Sequence, residues 1–213
     1  MRNKRGPASE PNFAFKRTPF RALFSVTDKP PILPLVECLT KLGWEIVGTA
    51  GTCNFLNEHG IPTSRIEDLV GFGQLLGHRL KTLDVRVLGG LLWNRLDDQH
   101  NRNANDLKLI HFDLLVESFY DFRKATDEHG GLDEVIEFID VGGPTMLRCA
   151  AKNFKAVIPL VESCDYDVVR KALVNSDGDP RGVSLMERRR LAAAAFKHLQ
   201  AYDAAIQRFL EAG

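Results

Sequence analysis

Short apolar runs alternate with amphipathic stretches along this chain from residue 20 onward. Residues 22–26 form a short, mostly apolar run that predicts a buried strand. Leu35, Val36, Leu39 and Leu42 recur at helical spacing across 33–42, and Gly43 stands where a C-terminal cap belongs. Residues 44–47 predict a second strand and 52–58 a second helix. The run at 112–116 is apolar again, with a mixed helix near 121–129. A helix over 144–151 is predicted to open with Pro144 at its first position. Residues 156–161 are strand-like and 166–174 helical. SLME at 184–187 fits a capping box at the head of a long final helix reaching about residue 210. Residues 94–108, rich in Asn and Asp, read as a surface loop. Strands alternating with helices predict an α/β fold around a mainly parallel sheet.

Composition narrows the function classes. Of 213 residues, 44% are hydrophobic and 26% charged, ordinary values for a folded domain. Lys plus Arg and Asp plus Glu each number 28, so no global field exists to hold a nucleic acid or an anionic membrane. Any anion must be held by a local cluster. Cys38, Cys53, Cys149 and Cys164 lie far apart without a CxxC pair, which suggests neither a zinc site nor a disulfide framework. No apolar run reaches the ~18 residues of a spanning helix, and none near the start resembles a signal peptide. A reducing cytoplasm is the expected setting. Residues 1–18 carry five basic residues, one acidic residue and two prolines without periodicity. They read as a frayed terminus rather than a nucleic-acid or targeting arm, leaving 19–213 as one domain.

Four segments carry candidate chemistry. In open parallel sheets, ligands gather where strands end and helices begin. SVTDK (25–29) ends a strand in hydroxyls and a lysine, and GTAGT (48–52) is a small-residue turn running into a helix. Together, Ser25, Thr27, Lys29, Thr49, Gly51 and Thr52 offer hydroxyls, a cation and open backbone N–H groups suited to a phosphate. GHRLKTL (77–83) alternates Arg79 and Lys81, which share a face in extended backbone, with Thr82 adding a hydroxyl. The fourth segment is IDVGGPTMLRCAAKN (139–153). It places Asp140 at a predicted strand end before a Gly-Gly turn, where the N–H groups of Val141 and Gly142 can face a developing negative charge. By spacing alone, Lys152 at the far end of that helix is a partner for the helix dipole.

RALFSVTDK, the GTAGT turn, GHRLKTL, IDVGGPTMLRCAAKN and the closing GVSLMERRRLAAAAFKHLQAYDAAI resemble, in order, the IMP cyclohydrolase domain of the bifunctional purine-biosynthesis enzyme. The resemblance covers about residues 20–212. It implies a methylglyoxal-synthase-like fold, a parallel sheet flanked by helices, in a single domain with a long C-terminal helix. The implied reaction closes a ring: the carboxamide nitrogen of 5-formamidoimidazole-4-carboxamide ribotide attacks its own formyl carbon and water leaves. No metal or other cofactor is implied. Residue by residue, the resemblance assigns Asp140 and Lys152 to activating the amide. Lys81 and Tyr120 are assigned to positioning and charge stabilisation, and the backbone after Asp140 to an oxyanion hole. Ser25, Thr27, Lys29, Thr49, Gly51, Thr52 and Arg79 fall around the ribotide, chiefly its phosphate.

Several positions depart from the family pattern. After KTL the family's His-Pro becomes Asp84 and Val85, and a second His becomes Leu88. Ser118 and Asp121 replace the Asn and Pro that flank the tyrosine, and Ala50 replaces a glycine of the phosphate turn. These changes around an intact Lys81, Tyr120, Asp140 and Lys152 set leave two enzymatic readings: the purine cyclohydrolase itself, or a paralogue closing the ring of a related nucleotide, such as a purine-analogue antibiotic precursor. A non-catalytic phosphate-sensing module is the third reading. The expected partners are a nucleoside monophosphate, a second copy of the chain in a homodimer, and a separate formyl-transferring enzyme.

Overall fold

The computed structural model describes residues 19–71, 82–128 and 131–212. The chain runs through β1 (Arg21–Ser25), α1 (Leu33–Lys41), β2 (Glu45–Gly48), α2 (Ala50–Glu58), β3 (Ser64–Arg65) and α3 (Ile66–Val70). After the undescribed segment it continues through α4 (Val85–Leu92), α5 (Asp98–Asp106), β4 (Leu114–Glu117), α6 (Phe122–Glu128) and α7 (Leu132–Val135). It ends with α8 (Gly142–Lys152), β5 (Ile158–Leu160), α9 (Tyr166–Asn175) and α10 (Leu185–Ala212). The five strands are all parallel, in the order β3-β2-β1-β4-β5. The methylglyoxal-synthase-like sheet and the long C-terminal helix are both present.

Strand alternation divides the core in two. Leu23, Val47 and Leu115 point to one face, where they pack with residues of α4, α8 and α10. Ala22, Phe24, Ile46, Leu114 and Val116 point to the other, against α1 and α9. Both faces are covered, which is why the strands read as continuous apolar runs rather than alternating ones. Gly43 ends α1 with φ +77°, and Trp44 N–H closes back onto Leu39 O at 3.0 Å, as the sequence reading expects. Among the described residues, no helix is long and apolar enough to cross a membrane.

Four expectations need correction. The stretch 94–108 is not a loop: Asp97 caps α5, its side chain accepting the Gln99 and His100 N–H groups. This helix escapes the periodicity because only Ala104 is buried along it. The helix after the Gly-Gly pair starts at Gly142, so Pro144 is its third residue, where a missing N–H still costs nothing. Asp140 follows a 3-10 turn at Ile136–Phe138 rather than a strand. At the head of α10, Ser184 Oγ accepts Glu187 N–H at 3.2 Å, but the Glu187 carboxylate turns to Arg190, so the capping box is half made.

Candidate active site

A cleft of about 640 Å³ opens over the carboxyl ends of β1, β2 and β4. The chain runs outward from β1 to β3 at one edge, then returns to β4 on the other side of β1. Parallel sheets part their loops at such a switch point. Ser25, Thr27, Thr49, Thr82, Ser118 and residues 136–143 line the cleft, so each of the four sequence segments contributes to it. Of the GHRLKTL segment only Thr82 and Leu83 are described; Arg79 and Lys81 lie outside the described residues.

One end of the cleft gathers hydroxyls, a lysine and a helix head, groups suited to an anion. Thr49 stands in extended backbone just before α2 and makes no side-chain cap bond, which leaves the first N–H groups of the helix open. Thr52 is 1% exposed; its hydroxyl accepts Val26 N–H at 3.3 Å and lies 3.3 Å from the Thr49 hydroxyl. It joins the end of β1 to the head of α2 rather than lining the cleft. Lys29 donates to Thr27 O at 3.2 Å, and its stem passes 4.0 Å from where a Cβ on Gly51 would sit. Thr27 is tied across to β4, its N–H donating to Ser118 Oγ at 2.9 Å.

The other end is the 140–143 turn. Asp140 Oδ1 accepts Gly143 N–H at 3.0 Å, and Asp140 N–H donates to the Tyr202 hydroxyl of α10 at 2.7 Å. Val141 and Gly142 line the cleft at the head of α8, where a helix supplies no partner to its first N–H groups. The space around Gly143 is tight: a Cβ there would lie 2.6 Å from Asp140 Oδ2 and 2.9 Å from Glu117 Oε1. Glu117, 1% exposed at the end of β4, therefore stands directly behind Asp140. Thr82 borders the same turn, its hydroxyl 2.5 Å from the Cβ position of Gly142. The Tyr120 ring lies 5.9 Å from that of Phe138, a cleft residue, tilted by 36°, and borders the adjoining hollow with His198 and Tyr202. Burial raises the Tyr202 hydroxyl above its ordinary pKa, so it stays neutral around pH 7. Among the described residues, no cluster of three or more His, Cys, Asp or Glu side chains is placed to hold a metal ion.

Lys152 is not brought to this cleft. It ends α8, eleven residues long, and borders a separate cavity of about 1170 Å³ at the amino ends of the strands, beside Arg95, Phe154, Lys155 and Arg188. No ion pair joins it to Asp140 among the described residues.

Residues 31–145 match the MGS-like domain model, and residues 150–213 match the AICARFT/IMPCHase bienzyme model. The chain belongs to the MGS-like domain family. Its relatives include the bifunctional purine biosynthesis protein PurH of Elusimicrobium minutum, 43% identical over 195 residues and 91% of this chain. PurH of Listeria monocytogenes is 43% identical over 194 residues. The chain spans 37% of the length of these relatives. The crystal structure of ForH superposes with a TM-score of 0.78 at 38% identity, covering 89% of this chain and 97% of that one.

Within this MGS-like fold, two neighbours of Asp140 went unread in the sequence. Glu117 lies in an apolar run, where an acid reads as an outward-facing strand residue. Tyr202 belongs to the AYD block that carries the resemblance, but its partner is 62 positions away.

Proposed function

We propose that this chain closes the pyrimidine ring of 5-formamidoimidazole-4-carboxamide ribotide to give IMP and water. The observation that carries this reading is one cleft with an anion-binding end, at Thr27, Lys29 and Thr49, and a carboxylate beside a helix head, at residues 140–142. The family model matched by residues 150–213 points the same way.

The chemistry is an intramolecular condensation, so the enzyme's task is to fold two substituents together and manage protons. Thr27, Lys29, Thr49 and the open N–H groups of α2 hold the phosphate. The heterocycle then lies toward residues 136–143. Asp140 takes the proton that the carboxamide nitrogen releases on attacking the formyl carbon. The formyl oxygen becomes an oxyanion facing the Val141 and Gly142 N–H groups. It leaves as water, carrying that proton and the one from the formamide nitrogen as the C=N bond forms. The resemblance assigns charge and position to Lys81 and Tyr120, of which Tyr120 stands beside Phe138 of the cleft. Lys152 is assigned to the amide by the resemblance but stands at the far end of α8, so within one chain it serves that helix end.

The formamide must come from a formyl-transferring enzyme, and the working unit is a homodimer in the cytoplasm. Ser118, which replaces the family's Asn and lines the cleft itself, favours a second reading in which the heterocycle differs. Turnover of the formamido ribotide, followed by ultraviolet absorbance, tests the first reading. No product from it, alongside fast closure of a C-linked pyrazole analogue, overturns it in favour of the second.

A further inference from the structure

Tyr202 has no task in the chemistry above, yet it holds the residue that chemistry depends on. We propose that Tyr202 is a positioning residue that locks the 139–143 turn in its reactive form. Its catalytic consequence rests on the cyclohydrolase reading; the locking itself does not.

Among the described residues, internal hydrogen bonds bear on the turn. Asp140 Oδ1 accepts Gly143 N–H, and Thr145 N–H returns to Val141 O at 3.2 Å. Neither bond fixes the peptide that enters the turn, between Ile139 and Asp140. That peptide is fixed from outside, its N–H donating to the Tyr202 hydroxyl at 2.7 Å. Rotating it would swing the Asp140 carboxylate and re-aim the Val141 and Gly142 N–H groups together.

The tyrosine is itself packed in place. It is 8% exposed, with its ring 5.1 Å from Phe119 and 6.4 Å, edge-on, from Phe122. Phe119 follows directly on Ser118, so the same ring contacts tie the bolt to the other wall of the cleft. A rigid aromatic with two rotatable bonds positions its hydroxyl at little entropic cost. The hydroxyl is neutral because burial raises its pKa, and it accepts through a lone pair at ordinary pH.

The bond also joins two parts of the sequence. Asp140 lies in the segment matched by the MGS-like model, and Tyr202 in the segment matched by the bienzyme model. The long C-terminal helix therefore reaches back to hold the turn at the reacting end.

The test is Tyr202→Phe in the full chain, which keeps the ring and removes the acceptor. Hydrogen–deuterium exchange of peptides covering 139–143 needs no substrate and reads the locking directly. Exchange there should rise about tenfold while the strand amides stay unchanged. On the formamido ribotide, kcat should fall about tenfold with KM within twofold, because the phosphate end is untouched. Tyr202→Leu, which also removes the ring, should speed exchange throughout the core and serves as the signature of a purely structural loss. Unchanged exchange at 139–143 in Tyr202→Phe, or a rise spread evenly over the molecule as in Tyr202→Leu, overturns the proposal. A local rise with full kcat overturns its catalytic part. Should the parent enzyme turn over no formamido ribotide, the cyclohydrolase reading fails while the exchange result still decides the locking.

Discussion

Replacing Gly143 by alanine puts a methyl group where the site has no room for one. Gly143 is helical, so alanine meets no backbone penalty there and gains about 1 kcal/mol of helix propensity. The cost is steric. The new Cβ would lie 2.6 Å from Asp140 Oδ2, 2.9 Å from Glu117 Oε1 and 3.0 Å from Phe119 Cδ1. Carbon and oxygen rest at about 3.3 Å or more, so something must give by several tenths of an ångström. Glu117 and Phe119 are buried, at 1% and 7% exposure, whereas Asp140 is half-buried and borders the open cleft. Asp140 is therefore the group that moves.

Overpacking of this kind costs about 1–3 kcal/mol, so after the propensity gain the net loss of stability lies between about 0 and 2 kcal/mol. The effect on rate should be the larger one. Misplacing a reacting group by about 1 Å costs on the order of 10²-fold, so a shift of several tenths should lower kcat roughly tenfold. KM should hardly change, because the end proposed to hold the phosphate is on the other side of the cleft. Initial rates by ultraviolet absorbance, with thermal melts of both proteins, give the comparison. A Gly143→Ala protein with full kcat and an unchanged melting temperature refutes the packing of Asp140 against Gly143.

Lys152→Ala should keep kcat within twofold, since the residue stands outside the cleft; a loss of about 10²-fold, the size expected of a proton-transferring group, would place it in a site shared with another copy. His111 is held below its ordinary pKa, mainly by burial, with Asp113 opposing and Arg21 and Arg95 adding. The folded state then binds fewer protons than the unfolded one, so stability is intact above about pH 6.5 and falls as pH drops through the gap. In His111→Gln the melting temperature should flatten over that range, and an unchanged slope removes His111 as its source. Ser118→Asn should shift the ratio of kcat/KM between the imidazole ribotide and a C-linked pyrazole analogue by about tenfold, the reach of one altered polar contact, and an unchanged ratio clears Ser118 of selectivity.

The elements written in local patterns were the ones legible in the sequence. The first two strands and helices follow from apolar runs, and the end of α1 from a glycine whose positive φ the cap requires. Helix α5 was invisible because its stability rests on a cap and not on an apolar stripe. At the site, the turns at 25–29 and 48–52 were legible because their hydroxyls and small residues lie in consecutive positions, and the structure brings both to the cleft. Asp140 was found, but its setting was misread: a 3-10 turn and a strand end look alike before a Gly-Gly pair. Lys152 was grouped with Asp140 by resemblance, though eleven helical residues at about 1.5 Å each hold the two ends of α8 well apart. Glu117 and Tyr202 reach the turn from distant strand and helix positions, and no spacing rule reports that.

This difference bears on where selectivity is set. The most altered segment in the sequence, residues 84–90, folds into the start of α4 and not into the cleft wall. Asp84 caps that helix, accepting Arg86 N–H at 2.8 Å, and Leu88 packs on the core beside Val87 and Leu91. These replacements exchange polar family residues for a cap and a packing contact, which is a change in how the helix is held. Ser118 is altered at the cleft surface itself, hydrogen-bonded to the Thr27 backbone and next to the buried Glu117. A shorter side chain there changes the cleft surface beside Thr27, and with it the space open to the proposed substrate. The departures at Asp84 and Leu88 are thus structural, whereas Ser118 at the end of β4 is an altered position that lines the cleft.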